Sequence, residues 1–291
     1  MTPTETHTVP PRATPIRFQE YGVGIFSAAL TKSALKKAIK KKYITINGTV
    51  ATTATFIHGG ERIELFIPKK TTASKTLIFP LKVLFEDDYL AIIYKPAGIL
   101  VSGNSFKTIA NALVQNLSPS ALPDATKPQP VHRLDYATTG ILLAGKTSSS
   151  IRALNKMFED KKVAKTYFAV TIGTMNAEGE ISTTIDDKPS CSTYSVIASA
   201  PSERFGMLNL VQLDPKTGRR HQLRKHLASI GNPILGDKEY GTASLILNGK
   251  GMYLHAYSLQ FIHPFTEKEM NLTANFPERF KKLFPVDTAT K

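Results

Sequence analysis

The stretch His132-Arg133-Leu134-Asp135-Tyr136-Ala137-Thr138-Thr139-Gly140 runs without a break into Ile141-Leu142-Leu143-Ala144. The apolar run is too short for a helix and is entered through a glycine, so it reads as a buried strand. Asp135 then sits at the rim of a sheet, partly desolvated, where a neighbouring cation is needed to keep a carboxylate charged.

Working outward, Lys165–Ile172 predicts a second buried strand, with Tyr167 and Ala169 on one face and Phe168 and Val170 on the other. Leu208–Leu213, Tyr253–Ala256 and Leu259–Ile262 predict further strands, as do Val83–Phe85 and Leu90–Tyr94 around the acidic turn Glu86-Asp87-Asp88. The bend Lys95-Pro96-Ala97-Gly98 follows. Thr108–Asn116 and Ser149–Phe158 read as helices, and Leu122–Pro130 as a proline-rich loop. Strands outnumber helices without alternating with them, which implies an α+β domain with a mixed, mainly antiparallel sheet.

That domain is expected over 81–291. Before it, Leu30, Ala34, Leu35, Ala38 and Ile39 recur at helical spacing, with Lys32, Lys36, Lys37, Lys40, Lys41 and Lys42 on the remaining surface. Tyr43–Ile46, the turn pair Asn47-Gly48, and Ile63 and Leu65 after Gly59-Gly60 complete a small α/β module over 17–67. Residues 1–16 are expected to be flexible, and 68–80, rich in Lys, Thr and Ser, to be a linker.

Lys and Arg number 37 against 23 Asp and Glu, a net charge of +14 in 291 residues, which favours a polyanionic partner. A lysine face is more often merely solvated, but no acid interrupts this one between Thr31 and Lys42. Cys191 is the only cysteine, so neither a disulfide framework nor a multi-thiolate zinc site is possible. No apolar run is long enough to cross a bilayer and no signal peptide opens the chain, so a cytoplasmic protein with no membrane partner is expected.

The segment Lys216-Thr217-Gly218-Arg219-Arg220-His221-Gln222-Leu223-Arg224-Lys225-His226 is basic throughout, and no acid appears before Asn232. Here the chain resembles the RluA-type family of RNA pseudouridine synthases. His132-Arg133-Leu134-Asp135 with Thr138-Thr139-Gly140 resembles the family's aspartate motif, and Lys165-Thr166-Tyr167, ending at Gly173, its tyrosine motif. Thr217-Gly218-Arg219 with His221-Gln222-Leu223-Arg224 and Gly236-Asp237 resembles its basic motif. Leu254-His255-Ala256 with His263-Pro264 resembles its C-terminal signature, and the four motifs span about Leu81 to Phe276. Residues from about Arg17 to Leu65 resemble the S-four-type RNA-binding domain. The chain departs from the family at Thr139, where Ser is common, at Gly145, where Ala is common, and at Asn232, where His is common. The first keeps a hydroxyl, and the other two bear on packing and RNA contact.

The resemblance implies isomerisation of uridine to pseudouridine in ribosomal or transfer RNA, on a base flipped out of its stack. Asp135 is the implied catalytic carboxylate, acting either covalently or by abstracting a sugar proton. Arg224 is its implied partner, with Arg219 as the competing candidate, and Tyr167 would wall in the uracil and assist proton removal. Arg133 is a candidate wedge. RNA contacts are expected from Arg133, His132, Lys32, Lys36, Lys37, Lys40, Lys41, Lys216, Arg219, Arg220, His221 and Lys225. The reaction has no redox change and consumes nothing, so no cofactor is expected and no metal, and the protein is expected to act as a monomer. Two alternatives compete. A catalytically silent RNA-binding protein would keep the basic stripes but could lose Asp135. A metal-dependent phosphodiesterase would use His132, His221 and His226, yet no carboxylate cluster offers a magnesium ion several oxygens.

Overall fold

A computed structural model describes residues 3–29, 31–67, 77–247 and 249–284. The chain divides into two compact units, Met1–Ser74 and Lys75–Lys291.

The first unit is built around helix α2. In order it contains β1 (Glu5–Thr8), β2 (Ile16–Arg17), α1 (Phe18–Tyr21), α2 (Lys32–Lys40), β3 (Ile44–Ile46), β4 (Thr49–Val50), β5 (Phe56–Ile57) and β6 (Arg62–Leu65). Thr31 caps α2 by accepting from the Ala34 N–H at 3.1 Å. Leu35 and Ile39 point into a core shared with Phe18, Phe26, Ile44 and Ile63, which leaves the lysines outside. Asn47 and Gly48, both with positive φ, make the two-residue turn that joins β3 to β4. The N-terminal segment is not free along its length, as its composition suggested. Glu5–Thr8 pairs with β6, and Val9 is buried, because β6 would otherwise present an open edge on that side.

Of the expected linker, 68–76 lie outside the described residues. Leu77–Pro80 runs beside α3 (Ile109–Asn116), which holds it through Gln115 Nε2 on the Leu77 carbonyl and Asn116 Nδ2 on the Phe79 carbonyl.

The second unit is a mixed sheet of β7 (Lys82–Glu86), β8 (Leu90–Lys95), β9 (Ala125–Pro130), β10 (Thr139–Thr147), β11 (Ala164–Ile172), β12 (Glu178–Ile185), β13 (Lys188–Ser202), β14 (Gly206–Pro215), β15 (Leu254–Ile262) and β16 (Glu269–Thr273). The strand order is β12-β13-β14-β11-β15-β10-β8-β7, with β16 beside β15 and β9 beside β10. All pairings are antiparallel except β10 with β15. Helices α4 (Ser148–Glu159), α5 (Gln222–Ser229) and α6 (Glu278–Lys281) complete it.

Two sequence expectations change here. Residues 125–130 form a strand, not a loop: Pro128 and Pro130 lack N–H donors, but β9 pairs only with β10, so an edge accommodates them. Tyr253–Ala256 and Leu259–Ile262 belong to one strand, interrupted by a bulge at Tyr257 opposite Thr166 and Tyr167.

One row of residues across the sheet explains why distant motifs converge. Gly140 of β10 registers with Ala256 of β15, Ala256 with Tyr167 of β11, and Tyr167 with Leu213 of β14. The aspartate turn precedes Gly140 and the basic segment follows Leu213, so the two leave this row in opposite directions and both border it where Tyr167 sits. Gly140 has φ 120° and its missing side chain makes room for the Ala256 carbonyl. Gly145 likewise admits Ile151 and Ser150 of α4, which accounts for a glycine at a position where the family favours alanine.

Candidate active site

Asp135, Thr138, Lys165, Tyr167, Leu223 and Leu254 line part of a cleft of about 1010 Å³, together with the basic segment Lys216–His221. Asp135 opens a turn closed by the Thr138 N–H on its carbonyl at 3.1 Å.

Beneath the turn lies Lys95, fully buried. Its ammonium donates to the carbonyls of Pro96 at 3.0 Å, Tyr136 at 3.2 Å and Thr138 at 2.8 Å. Two of those carbonyls belong to the aspartate turn, so the lysine is a strut that holds it. Burial pushes the amine down to about 8, against the opposing pull of Asp135. In the sequence Lys95 reads only as part of a bend. A lysine closing the near-continuous apolar run Leu90–Tyr94 was the available sign that its head group is buried.

Two side chains reach Asp135 from the start of α5. Arg224 Nη1 is 3.7 Å from Oδ2, and His221 Nε2 is 3.7 Å from Oδ1. Neither is a tight pair. Arg224 is chiefly held elsewhere, with Nε and Nη2 on Asp237 at 2.6 and 2.8 Å and Nη2 on Glu239 at 3.1 Å. The simple Arg224–Asp135 pair expected from the motif is therefore a three-carboxylate arrangement, in which Asp237 sets the guanidinium plane. Burial alone would lower Arg224, but Asp237, with Asp135 and Glu239, outweighs it and raises the guanidinium above its ordinary value. Its guanidinium also lies over the Tyr240 ring at 4.8 Å.

Arg219 turns away: its Nε donates to the Pro189 carbonyl at 3.2 Å, so of the two candidates Arg224 is the one that faces Asp135. His221 lines the cleft with a side chain 15% exposed and bonded to the Tyr240 hydroxyl at 3.0 Å. It adopts φ 55° at the N-cap of α5, a conformation a non-glycine residue holds only where its surroundings impose it.

Tyr167 is half-buried and faces the cleft. Burial, then the nearby Asp135 charge, raises its phenol above the ordinary value, so it is a neutral donor.

His132 lines the cleft and also has a local structural part. Its ring stacks on Phe158 at 4.7 Å and its Nε2 accepts the Leu143 N–H at 3.0 Å. Burial pushes it down to about 3, so it braces the turn as an uncharged ring. Asn232 is buried and donates to the carbonyls of Ile172 and Thr174, which makes it a packing residue and not an RNA contact. Thr139 keeps the hydroxyl role: its Oγ1 bonds His255 Nδ1 at 2.9 Å.

Arg133 is exposed, two residues before Asp135, while Lys216 and Arg220 line the cleft. Lys225 is 3.3 Å from Asp186. In the first unit Lys32 is engaged by Glu20 at 2.7 Å, while Lys36, Lys37, Lys40 and Lys41 are exposed. Among the described residues no cluster of His, Cys, Asp or Glu could hold a metal ion, and no helix is long and apolar enough to cross a membrane.

The family described as RNA pseudouridylate synthase matches residues 89–229. The ribosomal large subunit pseudouridine synthase D of Nitrosomonas europaea is 32% identical, over 80% of this chain and 74% of that one. The ribosomal large subunit pseudouridine synthase C of Rickettsia felis is 31% identical, over 88% of this chain and 92% of that one. Among solved structures, human RNA pseudouridylate synthase domain containing 4 aligns with a TM-score of 0.55 at 25% identity, over 68% of this chain and 90% of that one. With the same fold, the motif order and these identities over most of both chains, the protein belongs to the RluA-type family of RNA pseudouridine synthases and is an isomerase acting on RNA.

Proposed function

We propose that the protein isomerises specific uridines in structured RNA, with Asp135 as the catalytic carboxylate. The observation that carries this reading is the position of Asp135: inside a cleft large enough for a nucleotide, on a turn strutted by Lys95, with Arg224 and His221 each 3.7 Å away. The names of the relatives favour ribosomal RNA of the large subunit over transfer RNA.

In the proposed reaction the bond from the ribose anomeric carbon to the uracil nitrogen breaks, the base turns, and the anomeric carbon bonds to a ring carbon. That carbon loses its proton and the freed nitrogen gains one, so nothing is consumed. Asp135 acts at the sugar, either by adding to the anomeric carbon or by removing the adjacent sugar proton. Arg224 balances its charge in the cleft, and His221 faces it from the other side. Tyr167, as a neutral phenol, walls the uracil and offers it a hydrogen bond. Lys165, whose amine burial holds below its ordinary value, meets the polyanion in the same cleft with Lys216 and Arg220.

The first unit is proposed to act as an S-four-like RNA-binding domain through Lys36, Lys37, Lys40 and Lys41. Arg133 is proposed to hold the gap left when the target base leaves its stack. The reading is completed by a cytoplasmic monomer that works without a cofactor. A catalytically silent RNA-binding protein would bind the same RNA and release no ring proton. Tritium release from uridine labelled at the reacting ring carbon separates the two.

A further inference from the structure

Asp135 lines the cleft, but the next residue does not. Tyr136 stands at the rim with 58% of its surface exposed, the most open aromatic side chain among the described residues. A phenol ring combines a broad apolar face with a polar tip, which suits a wet surface that a flat partner covers.

The backbone under the ring is fixed. The Tyr136 carbonyl accepts from Lys95 Nζ at 3.2 Å and from the Gly98 N–H at 2.9 Å. Gly98 has φ 82°, and a side chain added there would come within 3.9 Å of the Tyr136 hydroxyl, so the phenol passes over this bare stretch of backbone. The side chain is thus an open aromatic surface on a rigid base, one residue (~3.8 Å along the chain) from Asp135. The protein has no tryptophan, so any stacking surface must come from other planar groups.

We propose that Tyr136 is the stacking platform for the nucleotide that adjoins the uridine entering the cleft. The inference rests on the RNA reading above. A base drawn in against Asp135 leaves its neighbour at the rim with one face unstacked, and the Tyr136 ring is the open aromatic surface nearest that point in the chain. Stacking accepts any base, so Tyr136 sets affinity for an ordered flanking nucleotide and leaves the identity of the reacting base to the cleft.

The test uses fluorescein-labelled heptaribonucleotides, a central uridine in adenosines, either intact or with an abasic ribose at one of the two positions beside the uridine. Binding is measured by anisotropy for the wild type and for Tyr136→Ala, Tyr136→Leu and Tyr136→Phe. The wild type is expected to bind the intact heptamer on the order of tenfold more tightly than one of the abasic forms. That ratio is expected to fall to about one in Tyr136→Ala and Tyr136→Leu and to persist in Tyr136→Phe, which keeps the ring. Tyr136→Leu keeps apolar bulk at the rim, so a loss of packing alone would leave its ratio like that of Tyr136→Phe and overturn the inference. It is also overturned if Tyr136→Ala retains the wild-type ratio, or if the wild type binds all heptamers alike or none. Tritium release from total ribosomal RNA by the wild type is scored separately, so a failure of the stacking inference is distinguishable from a failure of the RNA reading.

Discussion

Arg224 presents only Nη1 to Asp135, at 3.7 Å, because its Nε and Nη2 are committed to Asp237 at 2.6 and 2.8 Å. Asp237 in turn is held below the usual carboxylate range: burial would raise it, but the Arg224 bond and the backbone N–H groups of Glu239 and Tyr240 outweigh that. The orientation of the cation beside Asp135 is therefore decided by a second carboxylate outside the cleft.

Asp237→Asn is expected to lower kcat by about a hundredfold while Asp135 remains in place, since a misplacement of about 1 Å near a reacting centre can cost that much. Arg224→Lys is expected to fail comparably, because an ammonium cannot hold Asp237 bidentately and reach Asp135 as well. Single-turnover rates with the melting temperature measured alongside check both. An Asp237→Asn enzyme with the wild-type rate would show that Arg224 needs no such anchor.

Lys95 gives the turn a pH limit. Its amine lies at about 8 instead of the ordinary 10.5, because burial disfavours the charged form. Above about pH 8 it loses its charge and one donor to the three carbonyls, so kcat is expected to fall there. The stability effect has the opposite sign: between about 8 and 10.5 the unfolded chain binds the proton that the folded chain has released, so this group's contribution rises with pH. Lys95→Met is expected to lower activity and abolish the inflection. A pH–rate profile and melting curves over the same range check both statements, and an inflection that survives in Lys95→Met contradicts them.

The acid side is set by buried histidine. His255 is fully buried and burial pushes it down to about 4. A folded value below the ordinary 6.5 means that the unfolded chain takes up the proton first, so its contribution is intact above about 6.5 and is lost as pH falls towards 4. The loss is on the order of 3 kcal/mol. His132, pushed down to about 3, acts in the same direction. Urea unfolding of the wild type and His255→Gln across this range is expected to show a shallower acid decline in the variant. Parallel declines would remove His255 from the account.

For the first unit, replacing Lys36, Lys37, Lys40 and Lys41 with Gln is expected to weaken RNA binding and to flatten its salt dependence. Every phosphate that is no longer neutralised takes roughly one unit from the slope of log affinity against log salt. An unchanged slope would mean that the lysine face is solvated and nothing more.

The extent to which all this is legible in the sequence follows from how local each signal is. Periodicity locates α2 and α3, and the run after Gly140 locates β10, because burial on one or both faces leaves a pattern within a few residues. Strands β12 and β13 escape notice: Glu178–Ile185 is polar and mostly exposed, and the inward positions of Lys188–Ser202 are largely Ser and Ala, which give little apolar signal. The N-terminal strand is hidden for the same reason, since Glu5–Thr8 gains its place from the open edge of β6. At the site, Asp135, Tyr167 and Arg224 stand out by motif, but the parts of Lys95, His132 and Asp237 depend on which groups the fold buries together. In sequence His132 is one residue of a motif and Lys95 one residue of a bend, and only burial makes the first an uncharged brace and the second a strut.

The central claim is tested most directly by tritium release from RNA labelled at the uridine ring carbon that becomes bonded to ribose, with wild type and Asp135→Asn compared at equal folded concentration. Release by the wild type, and none above background by a folded Asp135→Asn, is the predicted result. Release at the same rate from both proteins, or from neither across total ribosomal and transfer RNA, would contradict it.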